Sequence, residues 1–246
     1  MTRDETQAMA QILPLGQDGI LVRFGDGFRA APQRAQAFGD RVRRADVSGV
    51  TEVATSLASV LVRFRPDAVS RSNLTARLQG LSSENDTRDA AVPTRLWTIP
   101  ASFGGDSGPQ LAETADLAGL SEAAAVEALT SVEVGVLAIG FAPGQPYLGF
   151  LPEAWDMPRQ RDLTPQVPAG ALVVALRQLV LFANPSPTGW RWIGSCAFAP
   201  FRADRAEPFA LRAGDRIRFA RTDASEIAAL RDAPDGLGGA TCADPA

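Results

Sequence analysis

The hydrophobic pattern of the first eighty residues switches between the two-residue period of a strand and the longer period of a helix. Two apolar runs lie between Ile12 and Phe24, on either side of Gly16-Gln17-Asp18-Gly19. Ile20 to Phe24 reads as a strand, and Gly25-Asp26-Gly27 breaks it. Phe28 to Arg44 is rich in Ala and Arg with no Pro after Pro32, which predicts a helix. Val50 to Val53 and Ser59 to Phe64 are dominated by β-branched and apolar residues and predict two strands. Ser70 is placed to cap a second helix running to about Leu81, with Leu74 and Leu78 on its buried face. The predicted order, β-α-β-β-α, describes a small α+β sandwich over residues 11–82. Residues 83–92 are polar and lack large apolar side chains, and read as the linker to a second domain.

That second domain, residues 93–231, opens with a strand from Thr94 to Ile99. A helical stretch from about Pro109 to Ala118 follows, and Ser121 can cap another, with Glu122 favouring its N-terminal dipole. Val134 to Phe141, Ala171 to Ala175, Leu179 to Phe182, Trp190 to Ile193 and Arg216 to Phe219 then read as short strands between Gly/Pro turns. Many short strands of this kind predict a β-barrel or a sandwich. Asp223 and Glu226 have capping-box spacing for a last helix ending near Arg231. Residues 232–246 are rich in Gly, Ala and Pro and are expected to be disordered.

Composition removes more chemistry than it suggests. All 24 basic residues are Arg, and the sequence contains neither Lys nor His. Ser-His-Asp and Cys-His catalysis, His-ligated zinc, Schiff bases and the phosphate-loop lysine are therefore outside this chain's means. Carboxylates, hydroxyls, one Tyr and two Cys remain. The net charge of −4 argues against nucleic-acid binding, which needs clustered positive charge. Cys196 and Cys242 lack metal-ligand spacing, the polar N-terminus lacks a signal peptide's apolar run, and no stretch approaches the ~20 apolar residues of a membrane span. The expectation is a soluble, cytoplasmic protein that holds no metal of its own.

Candidate binding chemistry concentrates in three rigid loops. The densest is Gly140-Phe141-Ala142-Pro143-Gly144-Gln145-Pro146-Tyr147-Leu148-Gly149, whose prolines and glycines predict a loop rather than a helix or central strand. Its backbone amides could meet an anion, or it could be a barrel-rim turn with Tyr147 as a packing plug. Thr164 to Gly170, containing Pro168 and Ala169, is the second, and Ser186-Pro187-Thr188-Gly189-Trp190 is the third. Ser186 has no base to activate it, and the Trp190 indole could orient a ligand or fill a core. Asp106, after Phe103-Gly104-Gly105, could be a general base or an ordinary turn aspartate.

These loops in this order, together with Gln178 and the run to Gly194, resemble the first subunit of the allophanate-hydrolase-type carboxyltransferase pair. That family includes the B-type subunit of bacterial 5-oxoprolinase and the sporulation-kinase inhibitor. The similarity extends to Gly108-Pro109, Pro14-Leu15-Gly16, Phe24-Gly25-Asp26, Leu61 to Phe64 and Leu211 to Asp215, covering roughly residues 11–231. It implies a cyclophilin-like β-barrel after the α+β domain, a partner carboxyltransferase-domain subunit, and a third, LamB/YcsF-like subunit. It also implies ATP-dependent opening of the cyclic amide of 5-oxoproline, with ATP shared with or held by the partner. The implied substrate-binding set is Gly140, Phe141, Pro143, Gly144, Pro146, Tyr147, Pro168, Ala169, Gly170, Gln178, Ser186, Pro187, Gly189 and Trp190, on one wall of a cleft. Arg159 or Arg161 would add a charged contact; catalytic residues are not implied. Two other roles occur among similar proteins: inhibition of a sensor histidine kinase, and carboxyl transfer of the urea carboxylase type.

The chain departs from the family pattern at Asp106-Ser107-Gly108-Pro109-Gln110, at Gln145 where a Phe is usual, and at Thr130 where a His is common. Leu176-Arg177-Gln178-Leu179-Val180 replaces a Gly-rich run and gives up its backbone freedom.

Overall fold

The computed structural model describes residues 10–25, 31–83 and 95–243. The chain forms two compact units, Met1–Val92 and Pro93–Ala246, each with its own hydrophobic core. The linker expected over 83–92 lies, apart from Ser83, outside the described residues.

In the first unit, β1 (Gln11–Leu15), β2 (Gly19–Arg23), β3 (Val50–Thr55) and β4 (Ser59–Phe64) form an antiparallel sheet in the order β1-β2-β4-β3. Helices α1 (Ala31–Arg44) and α2 (Arg71–Ser83) complete it. Alternation decides the face: Ile20 and Val22 stand opposite Val62 and Val60, and all four are buried with Phe38, Leu74 and Leu78. Full burial of each such side chain contributes about 1.5–3 kcal/mol. Ser70 caps α2 as its position predicts, its Oγ accepting from the Asn73 N–H at 3.2 Å. β1 is one strand more than the pattern predicts. It is an edge strand containing Pro14, and its Leu13 and Leu15 are exposed, so no buried alternation marks it. The Arg71 guanidinium fixes the β1–β2 turn, donating to the carbonyls of Gly16 and Gln17 at 2.8 Å each and to that of Gly19.

The second unit is a mixed β-barrel. Around it run β5 (Leu96–Phe103), β12 (Arg191–Ser195), β9 (Ala171–Ala175), β10 (Gln178–Leu181), β7 (Pro146–Gly149), β6 (Val134–Ile139) and β13 (Arg216–Arg221), which pairs parallel to β5 and closes the ring. Helices α3 (Leu111–Leu117) and α4 (Glu122–Thr130) supply Leu111, Ala115, Ala125 and Leu129 to the barrel's core, and Ser121 caps α4 through the Ala124 N–H. The expected α+β chain with a barrel as its second domain is the fold observed.

Three local expectations change. Pro146–Gly149 is strand β7, paired on both sides, where the Pro/Gly density predicts only loop; Pro146 is tolerated because it is the strand's first residue. Asp223 precedes α5 (Ala224–Leu230) but makes no capping bond through its side chain; Glu226 instead accepts from the Thr222 hydroxyl. Residues 232–243 are ordered rather than disordered: Leu237 and Ala240 pack on the barrel core, and β14 (Thr241–Ala243) pairs with β5. Glycine here serves packing, since a Cβ on Gly238 would sit 2.4 Å from the Ala197 carbonyl carbon.

Candidate functional site

The barrel wall has a second covered face. Along β9, Leu172 and Val174 point to the barrel core, while Ala171, Val173 and Ala175 join Val180, Phe182, Val167 and Trp190 in a separate outer cluster. A strand buried on both faces reads as the continuous apolar run Ala-Leu-Val-Val-Ala. The cover comes from a two-stranded ribbon, β8 (Thr164–Val167) against β11 (Ser186–Thr188), with Ser186 opposite Val167 and Thr188 opposite Thr164. The second and third Pro-rich loops of the sequence are thus partners in one small sheet.

Between this ribbon segment and the outer face of β7 and β10 opens a cleft of about 310 Å³. Val180 and Phe182 form its apolar floor, and Tyr147 and Trp190 meet edge to face with centroids 6.4 Å apart in its wall. Phe141 and Leu163, 78% and 65% exposed, stand among its lining residues as an apolar rim. Phe141 holds a left-handed backbone conformation (φ 71°), uncommon for a bulky residue and frequent at ligand-binding positions.

Neutral polar groups face the same space. Gln145 is 1% exposed, and its Oε1 accepts a long bond from the Ala183 N–H at 3.4 Å. Thr188 accepts from the Trp190 N–H at 3.0 Å. Neither the Tyr147 hydroxyl nor the Trp190 indole N–H has a hydrogen-bond partner among the described residues. Arg159 is the charged residue of the lining, with its guanidinium carbon 5.5 Å from the Trp190 ring centroid.

The segment bearing Arg159 is pinned on both sides. The Pro158 carbonyl accepts from Arg191 Nη1 at 2.8 Å, and the Gln160 N–H donates to the Gly189 carbonyl at 2.7 Å. The Gln160 side chain donates to the Trp190 carbonyl at 3.0 Å and accepts from Gln110 Nε2 at 2.6 Å. Gln110 Oε1 in turn takes the Trp192 N–H at 2.8 Å. The two glutamines tie the 158–160 segment to the start of β12.

Of the sequence-derived set, Phe141, Tyr147, Pro187, Gly189 and Trp190 line the cleft. Gly140, Pro143, Gly144 and Pro146 shape the turn beneath Phe141, where the Gly140 N–H donates to the Gln145 carbonyl. Pro168, Ala169 and Gly170 lie elsewhere. Gly170 (φ 83°) is a structural corner bonded to Phe182 and Cys196, and a Cβ there would lie 2.2 Å from the Cys196 oxygen. Ser186 donates to the Asn184 carbonyl at 3.3 Å and does not line the cleft. Gln178 shares the outer face of β10 with Val180 but lies outside the cleft, and its Nε2 is buried without a partner among the described residues. Asp106 is exposed on a 3₁₀ turn away from the lining, and Arg161 lies outside it too. Burial pushes the Cys196 thiol up to about 12, so it stays protonated and is no nucleophile.

Gln145, Leu163, Val180, Phe182 and Thr188 line the cleft without belonging to the implied set. Val180 and Phe182 are hidden in the sequence because the run Leu179 to Phe182 is continuously apolar and β10 is buried on both faces, so alternation cannot say which side meets a ligand. Gln145 does carry a signal in the sequence, a polar amide between Gly144 and Pro146 where the family pattern has a Phe.

The profile of the family described as "Carboxyltransferase domain, subdomain C and D" matches residues 10–211. The B-type subunit of 5-oxoprolinase from Escherichia coli O157:H7 is 36% identical over 177 residues, 72% of this chain and 80% of that one. The protein of the same description from Bacillus subtilis (strain 168) is 28% identical over 90% of this chain and 97% of its own length. Among solved structures, TTHA0988 superposes with a TM-score of 0.70 at 32% identity; 83% of this chain matches only 40% of that longer one. The urea carboxylase of Kluyveromyces lactis, at 16% identity and a TM-score of 0.71, shares the fold over 96% of this chain and 24% of its own.

Proposed function

This chain belongs to the carboxyltransferase-domain family of subdomains C and D, and on that premise we propose that it is the B-type subunit of an ATP-dependent hydrolase that opens the cyclic amide of 5-oxoproline. The observation that carries the reading is the 36% identity spanning 80% of the B-type 5-oxoprolinase subunit of Escherichia coli. The cleft agrees in chemistry. Aromatic walls suit a flat ring, and Gln145, Tyr147 and Thr188 are neutral groups able to bond an amide.

This chain's share of the reaction is to bind and orient. Without His or Lys, and with Cys196 locked as a thiol, it has no ordinary general base among the described residues of the cleft. Fixed donors around a desolvated amide can still hold the ring in one pose and favour charge growing on its oxygen. The donor set does not fit a nucleoside triphosphate. Among the described residues Arg159 is the one cation in the lining, none of the lining residues belongs to a helix N-terminus, and no group of three acidic or thiol side chains could hold its divalent ion. ATP is accordingly assigned to a partner carboxyltransferase-domain subunit, with a third, LamB/YcsF-like subunit completing the enzyme. We place the assembly in the cytoplasm; among the described residues no helix is long and apolar enough to cross a membrane.

The test is phosphate release with 5-oxoproline and ATP, for this chain alone and then mixed with the partner subunits. Turnover that needs 5-oxoproline and appears only in the mixture is expected. A stable complex with no such turnover would overturn the assignment.

A further inference from the structure

We infer that the cleft selects a small amide bearing a carboxylate, and that Arg159 is the residue making the selection. The inference rests on the amide-binding reading of the cleft and adds what that reading leaves open, the group by which the ligand is recognised.

Two other arginines of this region hold the fold. Arg191 donates to Glu113 at 3.1 Å and to the Pro158 carbonyl, and Arg177 donates to the Leu151 carbonyl at 2.8 Å. Arg159 is different: its contact is the face of Trp190, and it has no ion pair or hydrogen bond among the described residues. An indole beneath a guanidinium satisfies its charge in part while leaving N–H donors at its edge, the geometry that takes a carboxylate by two parallel bonds. The backbone around it is already ordered, because Pro158 and Gln160 are each bonded to β12 or the residues leading into it. The Arg159 side chain is exposed, but its backbone is fixed before a ligand arrives, which lowers the ordering cost of binding.

Charge selects further. Among the described residues no acidic side chain lines the cleft, so an anion moving into it meets one positive group and neutral amide and hydroxyl partners. A ligand with a second anionic group would leave that charge unpaired against Val180 and Phe182, at a desolvation cost. The space, about 310 Å³, lies at the small end of ligand cavities. One carboxylate on a compact neutral amide matches both limits.

The full chain, without partner subunits, is titrated with 5-oxoproline and with 2-pyrrolidinone, the same ring without the carboxylate, by calorimetry and by Trp fluorescence. Wild type is expected to bind 5-oxoproline about tenfold more tightly, the worth of one charge-assisted contact. Arg159→Gln should erase that preference, Arg159→Lys should restore part of it, and Arg161→Gln, an equal charge change outside the cleft, should leave both the preference and 2-pyrrolidinone binding intact. Equal affinity of wild type for the two ligands, no saturable binding of either, or a preference surviving Arg159→Gln would each overturn the inference. Turnover in the reconstituted mixture is read separately. A preference that depends on Arg159 with no turnover would remove the hydrolase assignment alone, and turnover with a preference indifferent to Arg159 would remove only this one.

Discussion

At the residue scale, the two cysteines separate by environment. Cys196 is fully buried behind Gly170, whereas Cys242 is exposed on β14. A thiol reagent is expected to modify one cysteine in the native protein and both after denaturation, read by mass spectrometry; rapid native modification of Cys196 would refute its burial. The Cys196 pKa is raised from 9.0 to about 12. An acid whose folded pKa is raised contributes fully below its unfolded value, and that contribution drains away as pH rises toward 12. Cys196→Ala should therefore flatten the fall in stability as pH rises above about 9, in denaturant melts. A different strain sits at Leu176 and Arg177, the two central residues of the β9–β10 hairpin, with φ of 53° and 63°. Such a turn asks for Asn or Gly at both positions. The structure holds it by other means: Leu176 N–H donates to the Met157 carbonyl, Arg177 N–H to that of Trp155, and Leu151 N–H to that of Arg177. Leu176→Asn keeps those backbone bonds and relieves a half-exposed leucine of the left-handed conformation, so a gain of about 0.5–1 kcal/mol is expected; a lower melting temperature would count against it.

At the element scale, legibility in the sequence follows the length and contrast of each run. β4 and α2 can be read because a buried face alternates with an exposed one over many residues. β8 and β11 are invisible as strands, being four and three residues long and each containing a proline. Their value is tertiary: only pairing with each other and packing against β9 and β10 makes them strands, and no local periodicity encodes that. For the same reason the candidate loops can be located in sequence, but not which of their residues meet the cleft. Gln160 shows what holds the segment opposite the ribbon. Gln160→Ala removes its bonds to Gln110 and the Trp190 carbonyl, and a loss of about 1–2 kcal/mol in stability is expected. The carboxylate preference should weaken with it, since Arg159 loses a fixed neighbour. An unchanged melt and an unchanged preference would show that the glutamine pair positions nothing.

At the scale of the whole molecule, the two cores are unequal. The unit from Pro93 to Ala246 encloses an interior fed by strands from β5 to β13 and two helices, whereas the described part of the first unit has one sheet face and two helices to bury. A domain of about 150 residues buries roughly 70% of the surface its unfolded chain exposes, whereas one near 60–70 residues buries nearer 60% and is marginal. Every described residue lining the cleft belongs to the larger unit, as do the bonds that pin the segment bearing Arg159. A fragment of residues 93–246 is therefore expected to unfold in one cooperative transition, followed by circular dichroism, and to discriminate 5-oxoproline from 2-pyrrolidinone as the full chain does. A fragment that folds but loses the discrimination would mean that the first unit takes part in forming the site. A fragment that fails to fold would mean that the barrel's stability depends on the rest of the chain. If it folds and discriminates, the barrel alone is sufficient for recognition, and the first unit's role lies outside it.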